Sequence, residues 1–436
     1  MRSPGHIRID KEGTMAEAAM NSTLERVWGE LERRRDELIS LIADLVRRPS
    51  LLGQEAEAQA YVADYLRGVG LEPDVWDLSP SVLDLPNAGN SGGPFDGRPN
   101  VAAVLRGTGG GRSLVLNGHI DVVSPEPVEA WTHDPWGAGI VGNRMYGRGA
   151  CDMKSGLAIN LFLAKVFRDL GIDLKGDLIL QSVIEEECTG NGALDASRRY
   201  PADAAIVTEP TDGDITQAHV GVIWFRVHIT GRAAHAAVAP TGVNAIVKAV
   251  PIIQALQDLD RRMNEDRHPA FADLDHPINL NIGVIRGGDW PSSVPGACEL
   301  HCRLSFYPGQ TVEEIRREVE EAIQQAAAGD EWLSEHPPTV SYDGFQSAGS
   351  VVPKDAPPVQ MLVSWHKKLR GNEPRFLART GTNDMRYYNF LGIPACCYGP
   401  SGGNLHAADE WLDLDSLVPT AKVLAAFICD WCGLAD

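Results

Sequence analysis

The strongest constraint on what this chain can fold into is a change of pattern near residue 216. Before it, apolar runs of strand length at 101–107, 113–121, 177–184 and 203–209 alternate with helically spaced stretches at 155–169 and 191–199. Such alternation predicts parallel strands, because parallel neighbours need a crossover long enough to hold a helix. After it the order becomes strand 222–230, helix 243–264, strands 277–285 and 297–306, helix 311–327 and a last strand at 338–343. A helix at 356–370, a strand-like run at 393–399 and a helix at 413–432 then resume the first pattern. The expectation is an α/β protein: a doubly wound, mostly parallel sheet domain over 1–215 and 346–436, interrupted by a βαββαβ (ferredoxin-like) domain over 216–345. Two helical stretches, 23–48 and 55–69, open the fold, and the first dozen residues read as a loose tail. Gly109-Gly110-Gly111 reads as a hairpin turn joining strands 101–107 and 113–121.

Charge narrows the partners. Acidic residues outnumber basic ones by 59 to 39, a formal charge of -20, so the long-range field repels phosphate backbones and anionic lipid. Nucleic acid and membrane are both excluded as expected partners, and no apolar run is long enough to span a bilayer. A small anionic substrate remains compatible, because bound metal ions reverse the field locally. The eight cysteines include one C-x-x-C pair, Cys429 and Cys432, with no second pair to complete a zinc knuckle. They read as reduced and the protein as cytoplasmic.

Five positions carry candidate chemistry. In Leu116-Asn117-Gly118-His119-Ile120-Asp121, His119 and Asp121 leave the same face of a strand end. That pair suits a metal ligand and its supporting carboxylate, or equally a capped strand end. Asp152 sits in a glycine-rich turn before a helix, where a carboxylate bridges two cations or simply caps the helix. Glu185-Glu186-Glu187 would repel one another unless cations or solvent intervene. Glu209 follows a strand, and His406 lies in a Gly-rich loop. Singly each is weak. Together they are expected to converge, because strand ends of a doubly wound sheet open on one crevice. Two histidines and three carboxylates suit zinc, with cobalt or manganese as substitutes.

The strings NGHIDVV, YGRGACDMKSG, EEE-x-x-G, TEP, GRAAHAA followed by P-x-G-x-NAI, and GP…H…DE are similar to those of the metallohydrolase family of acetylornithine deacetylase, succinyl-diaminopimelate desuccinylase, aminoacylase-1 and glutamate carboxypeptidase. The resemblance runs from about residue 38 to the C-terminus. It implies two zinc ions bridged by Asp152, one also held by His119 and Glu209, the other by Glu187 and His406. It further implies Glu186 as general base, Asp121 as support for His119, and His235 as a donor to the developing oxyanion. In several members that histidine comes from the partner subunit, which implies a homodimer and a lid and dimerisation role for the inserted domain. The triple Glu leaves the register ambiguous; Glu185 is taken as the residue preceding the family's Glu pair.

As substrate contacts the resemblance marks Arg303, Asn244 and Ser293. Departures surround them: Ser292-Ser293-Val294-Pro295 replaces an Asn-Val-Val-Pro-like run, Thr382-Asn383-Asp384 replaces Thr-Asp, and Gly-Pro-Ser replaces Gly-Pro-Gly at 399–401. The implied activity is metal-dependent cleavage of the amide of an N-acyl amino acid, through a hydroxide bridging two zinc ions. A dipeptidase, carboxypeptidase or xenobiotic amide hydrolase on the same scaffold is the alternative. A non-catalytic binding protein is disfavoured, since ligand set and base are present together.

Overall fold

The computed structural model describes residues 11–435, with side chains from residue 18 onward; the expected N-terminal tail falls mostly outside them. The large sheet runs, in spatial order, Asp74–Asp77, Pro99–Leu105, Leu178–Val183, Leu114–His119, Ala204–Val207, Ala395–Cys397, Ile215–His219 and Ser350–Val351, with Phe376–Arg379 also beside Ile215–His219. Its four central strands, Leu178–Val183 to Ala395–Cys397, are parallel, and antiparallel strands flank them on both sides. This is the mixed, mostly parallel α/β sheet that the alternating pattern predicts.

The central strands are buried along their whole length because helices cover both faces. Successive side chains go to opposite cores. Leu114, Leu116, Leu178, Leu180 and Ile206 join the core under the helices Lys154–Asp169 and Leu417–Cys432. Val115, Ile179, Ala205 and Val207 meet Met385, Tyr388 and Ile393 on the other side. No helix among the described residues is long and apolar enough to cross a membrane.

Within the chain between these pieces, a second sheet runs Leu280–Gly287, Ala297–Phe306, Gly221–Thr230, Thr339–Ser347, all antiparallel. The helices Ala245–Met263 and Val312–Ala328 pack on one of its faces around a core of their own. The opposite face carries Trp224, Arg226 and His228 beside Glu299, His301 and Arg303. Leu280–Gly287 is an outer strand, and most of its residues are exposed.

Two local expectations differ from the structure. The helical stretch 23–48 is two helices, Lys11–Arg33 and Arg35–Val46, broken at Arg34, whose φ of -106° and ψ of 21° leave the helical region. Gly109-Gly110-Gly111 is not a hairpin turn between partners. Leu178–Val183 lies between the two strands it connects and pairs with both. Alternating patterns show which segments are strands but not which neighbours they take. The nearby glycines have a different use: a Cβ at Gly107 or Gly111 would run into the backbone of Lys175, Gly176 or Cys432.

Gly156, in the first turn of the helix Lys154–Asp169, makes a similar close approach. A Cβ there would collide with the carbonyl of Thr208, the residue before Glu209. Gly156→Ala is expected to destabilise the metal-free protein by about 1–3 kcal/mol, read by denaturant unfolding. Unaltered stability would show that this contact relaxes freely.

Candidate metal centre

His119 ends the strand Leu114–His119 and is fully buried. Its Nδ1 lies 2.9 Å from the main-chain oxygen of Asp121. A carbonyl can only accept, so Nδ1 carries a proton and Nε2 is the nitrogen turned inward, its lone pair open to a cation once the imidazole is neutral. Around Nε2 stand Asp152 Oδ1 at 3.3 Å, Glu209 Oε1 at 3.8 Å and Glu186 Oε2 at 3.9 Å. The second oxygen of Asp152 lies 3.5 Å from His406 Nε2, which is also 3.0 Å from Glu187 Oε2. Asp152 thus stands between two histidines, each with its own glutamate. The sequence-predicted ligands His119, Asp152, Glu187, Glu209 and His406 all come together, with Glu186 among them.

The supporting carboxylate acts differently from the expectation. Asp121 orients His119 through its backbone, while its side chain, 3.7 Å from Nδ1, accepts from the amides of Glu186 at 3.2 Å and Glu187 at 3.1 Å. It holds the loop that carries Glu186 and Glu187. Glu185 is buried on the far side of that loop, against Arg98, Ser91, Thr189 and Asn191. The same Arg98 grips Glu55 with both nitrogens. Glu185 is therefore an anchor turned away from the cluster, which is the register the resemblance favours.

Electrostatics shows what the pocket lacks. Burial first, then the charges of Asp384, Glu209 and Glu187, push the Glu186 carboxyl well above the usual carboxylate range. Burial and Asp152 do the same to Glu209. Against burial, hydrogen bonds to His119 and His406 hold Asp152 low. Hydrogen bonds to Asp152 and Glu187 push His406 up to about 11, and His119 rises well above its ordinary value against burial, through Asp152 and the neighbouring carboxylates. Without metal, imidazolium ions supply the positive charge.

Whether the residues fit divalent cations can be tested on distance and on unmet bonding capacity. Ligand atoms about 2.0–2.1 Å from one tetrahedral ion lie about 3.3 Å apart, and the atoms here are separated by 3.0–3.9 Å. Two groupings, His119 with Glu186 and Glu209 and His119 with Asp152 and Glu187, have all their ligand atoms within 4.8 Å of one another. They cut across the pairing inferred from the sequence, as expected where one aspartate sits between two positions. Asp384, which the sequence reading noted only as a departure, is fully buried with neither carboxyl oxygen hydrogen-bonded. Burial raises its pKa to about 6 despite Arg386. The residues fit.

The substrate candidates lie elsewhere. Arg303 donates to the carbonyl of Thr380 at 2.9 Å, and burial lowers its pKa; among the described residues no carboxylate pairs with it. Asn244 uses its side-chain oxygen to cap the helix Ala245–Met263, accepting from Ile246 and Val247. Ser293 pairs with His235 in a short exposed ladder. His235 is exposed and its Nδ1 accepts from the Ala237 amide; among the described residues no hydrogen bond or ion pair joins it to the cluster.

The match to the model of Peptidase family M20/M25/M40 covers residues 115–430. An N-formyl-4-amino-5-aminomethyl-2-methylpyrimidine deformylase of Halalkalibacterium halodurans is 34% identical over 95% of the chain and 98% of the relative. An acetylornithine deacetylase of Pectobacterium carotovorum is 30% identical over 78% and 86%. Among solved structures, a metallo-carboxypeptidase of Sulfolobus solfataricus superposes with TM-score 0.72 at 18% identity, over 90% of this chain and 98% of that one. A Bacillus subtilis protein described as a dinuclear metal binding peptidase superposes with TM-score 0.60 at 17% identity, over 93% and 100%.

Metal uptake by the stripped protein at neutral pH should release more than two protons per chain, since the imidazolium ions of His119 and His406 must become neutral and the Glu209 carboxyl, raised by burial, must ionise before it can bind. Calorimetry in buffers of different ionisation enthalpy reads this; uptake without proton release would refute the charge assignment.

Proposed function

This chain belongs to peptidase family M20/M25/M40 and is a hydrolase acting on amide bonds, and on that premise we propose that it removes a small acyl group from a primary amine. The observation that carries the reading is Asp152 standing between two histidine–glutamate pairs, with a buried glutamate of raised pKa alongside. His119, Glu209, Glu187 and His406 would hold two divalent cations about Asp152, zinc by the donor set, with cobalt or manganese as substitutes. A bound pair of such ions polarises the amide carbonyl and makes water acidic enough to lose a proton near neutrality.

The chain's own residues do the rest. Glu186, fixed by its amide on Asp121, accepts the proton of the attacking water and returns it to the leaving nitrogen. Its raised affinity for a proton suits it to both steps. His235, with Nδ1 occupied as an acceptor, is left with an Nε2–H to offer the carbonyl oxygen as it turns negative.

Two amines are favoured by different observations. The desolvated Arg303, hydrogen-bonded to the Thr380 carbonyl but with no carboxylate partner among the described residues, supports a substrate carboxylate, hence an N-acyl amino acid. Similarity over almost the whole chain supports an N-formylated aminomethylpyrimidine, the substrate in the name of that relative. A panel of N-formyl, N-acetyl and N-succinyl amines together with dipeptides decides between them; turnover of dipeptides alone would reject the deacylase reading. Glu186→Gln should keep both ions and lose about three or more orders of magnitude in kcat. Undiminished turnover would remove the base.

Because no hydrogen bond or ion pair among the described residues joins His235 to the cluster of its own chain, the reading includes a homodimer. The outer strand Leu280–Gly287 exposes Val284 and Ile285, and the neighbouring helix exposes Ile246, Val247 and Val250, an edge suited to pairing with its own copy. Mixing inactive Glu186→Gln and His235→Ala chains under exchange should restore about a quarter of wild-type activity if His235 serves the opposite subunit, one intact site in every mixed dimer. No recovery would place His235 in its own chain's site, and an active His235→Ala chain before mixing would place it outside catalysis.

A further inference from the structure

Four residues past His406 lies Glu410, completely buried yet outside the cluster. Its carboxylate is fully engaged. Oε1 accepts from the amides of Cys151 and Asp152, both at 3.0 Å. Oε2 accepts from the amide of Gly149 at 3.0 Å and from the Arg148 guanidinium at 2.7 Å. Arg148 reaches back with its other nitrogen to the carbonyl of Ala407 at 3.2 Å, next to His406, and to that of Ser124 at 3.5 Å. The Gly147 amide donates to the Glu410 carbonyl at 3.0 Å, and just beyond, Trp411–Asp413 pairs with Arg144–Tyr146. The loop that presents Asp152 and the loop that presents His406 are therefore stapled together, with one carboxylate and one guanidinium as the staple.

We propose that Glu410, together with Arg148, is a positioning residue that sets where Asp152 and His406 stand relative to each other, and so the spacing of the two cations. The inference rests on the reading that Asp152 and His406 hold metal. A merely structural carboxylate would need only its arginine; Glu410 also accepts from three amides of the Asp152 turn, those of Gly149, Cys151 and Asp152. Charge is part of the device. Replacing it by an amide of the same shape leaves one oxygen and turns an NH₂ group against N–H donors, so one half of the staple loses its acceptors. His406 stands on a loop with positive φ at Asn404, His406 and Asp409, which Asp409 also ties to Thr132 and His133; the Glu410–Arg148 staple is what joins that loop to the turn of Asp152.

The test is titration of metal-stripped protein with cobalt(II), followed by the visible absorption of the bound ion, for wild type, Glu410→Gln and Arg148→Lys. Wild type should take up two ions. Glu410→Gln should bind at least one of them tenfold or more weakly, with an altered absorption band. Arg148→Lys keeps the ion pair but not the reach to Ala407, and should change in the same direction by less; it decides the matter if Glu410→Gln does not fold. Two ions bound by both variants with wild-type affinity and spectrum would overturn the proposal, whatever their melting temperatures. A wild type that fails to take up two ions would instead remove the metal reading beneath it.

Discussion

The organising constraint is mutual repulsion among carboxylates taken out of water. Asp121, Asp152, Glu186, Glu187, Glu209 and Asp384 crowd one pocket around a single buried imidazole. Two like charges 4 Å apart repel by about 4 kcal/mol at an effective dielectric of about 20. They cannot all be ionised together without compensation, and the raised and lowered proton affinities show the chain supplying it with protons. A pair of divalent cations supplies it better. The same groups that make the metal-free pocket costly make it a strong ligand set.

Ligands on loops need something stiffer than the loops, and buried carboxylates that touch no reacting atom provide it. Asp121 clamps consecutive amides in the turn of Glu186 and Glu187, Glu410 clamps those of Cys151 and Asp152, and Glu185 ties the Glu186–Glu187 loop to Arg98 and through it to Glu55. Each takes up backbone donors that burial would otherwise leave unpaired. The geometry of the cluster is thus set largely by main-chain hydrogen bonds to side chains one layer behind it.

Much of this was legible in the chain alone. Strand and helix runs, the switch to βαββαβ order and the identity of the clustering residues all follow from periodicity and local strings, because those depend on neighbours in sequence. What escaped depends on neighbours in space. The Gly109–Gly111 connection reads as a hairpin because no local signal announces that Leu178–Val183 will come between. Glu410 was visible only as the end of a string containing His406, and its partners lie some 260 residues away. Asp121 was placed correctly but given a side-chain role that its backbone performs.

One feature of the sheet governs when the molecule can become itself. Ala395–Cys397 occupies an interior position, between Ala204–Val207 and Ile215–His219, and His406 and Glu410 follow it. During synthesis from the N-terminus, the sheet therefore waits with an open slot at its middle until Ala395–Cys397 has emerged, long after the strands on either side of it. The long loops closed by that late strand make assembly a non-local event, and the cluster around Asp152 is completed only after the strands on both sides of the slot are already made.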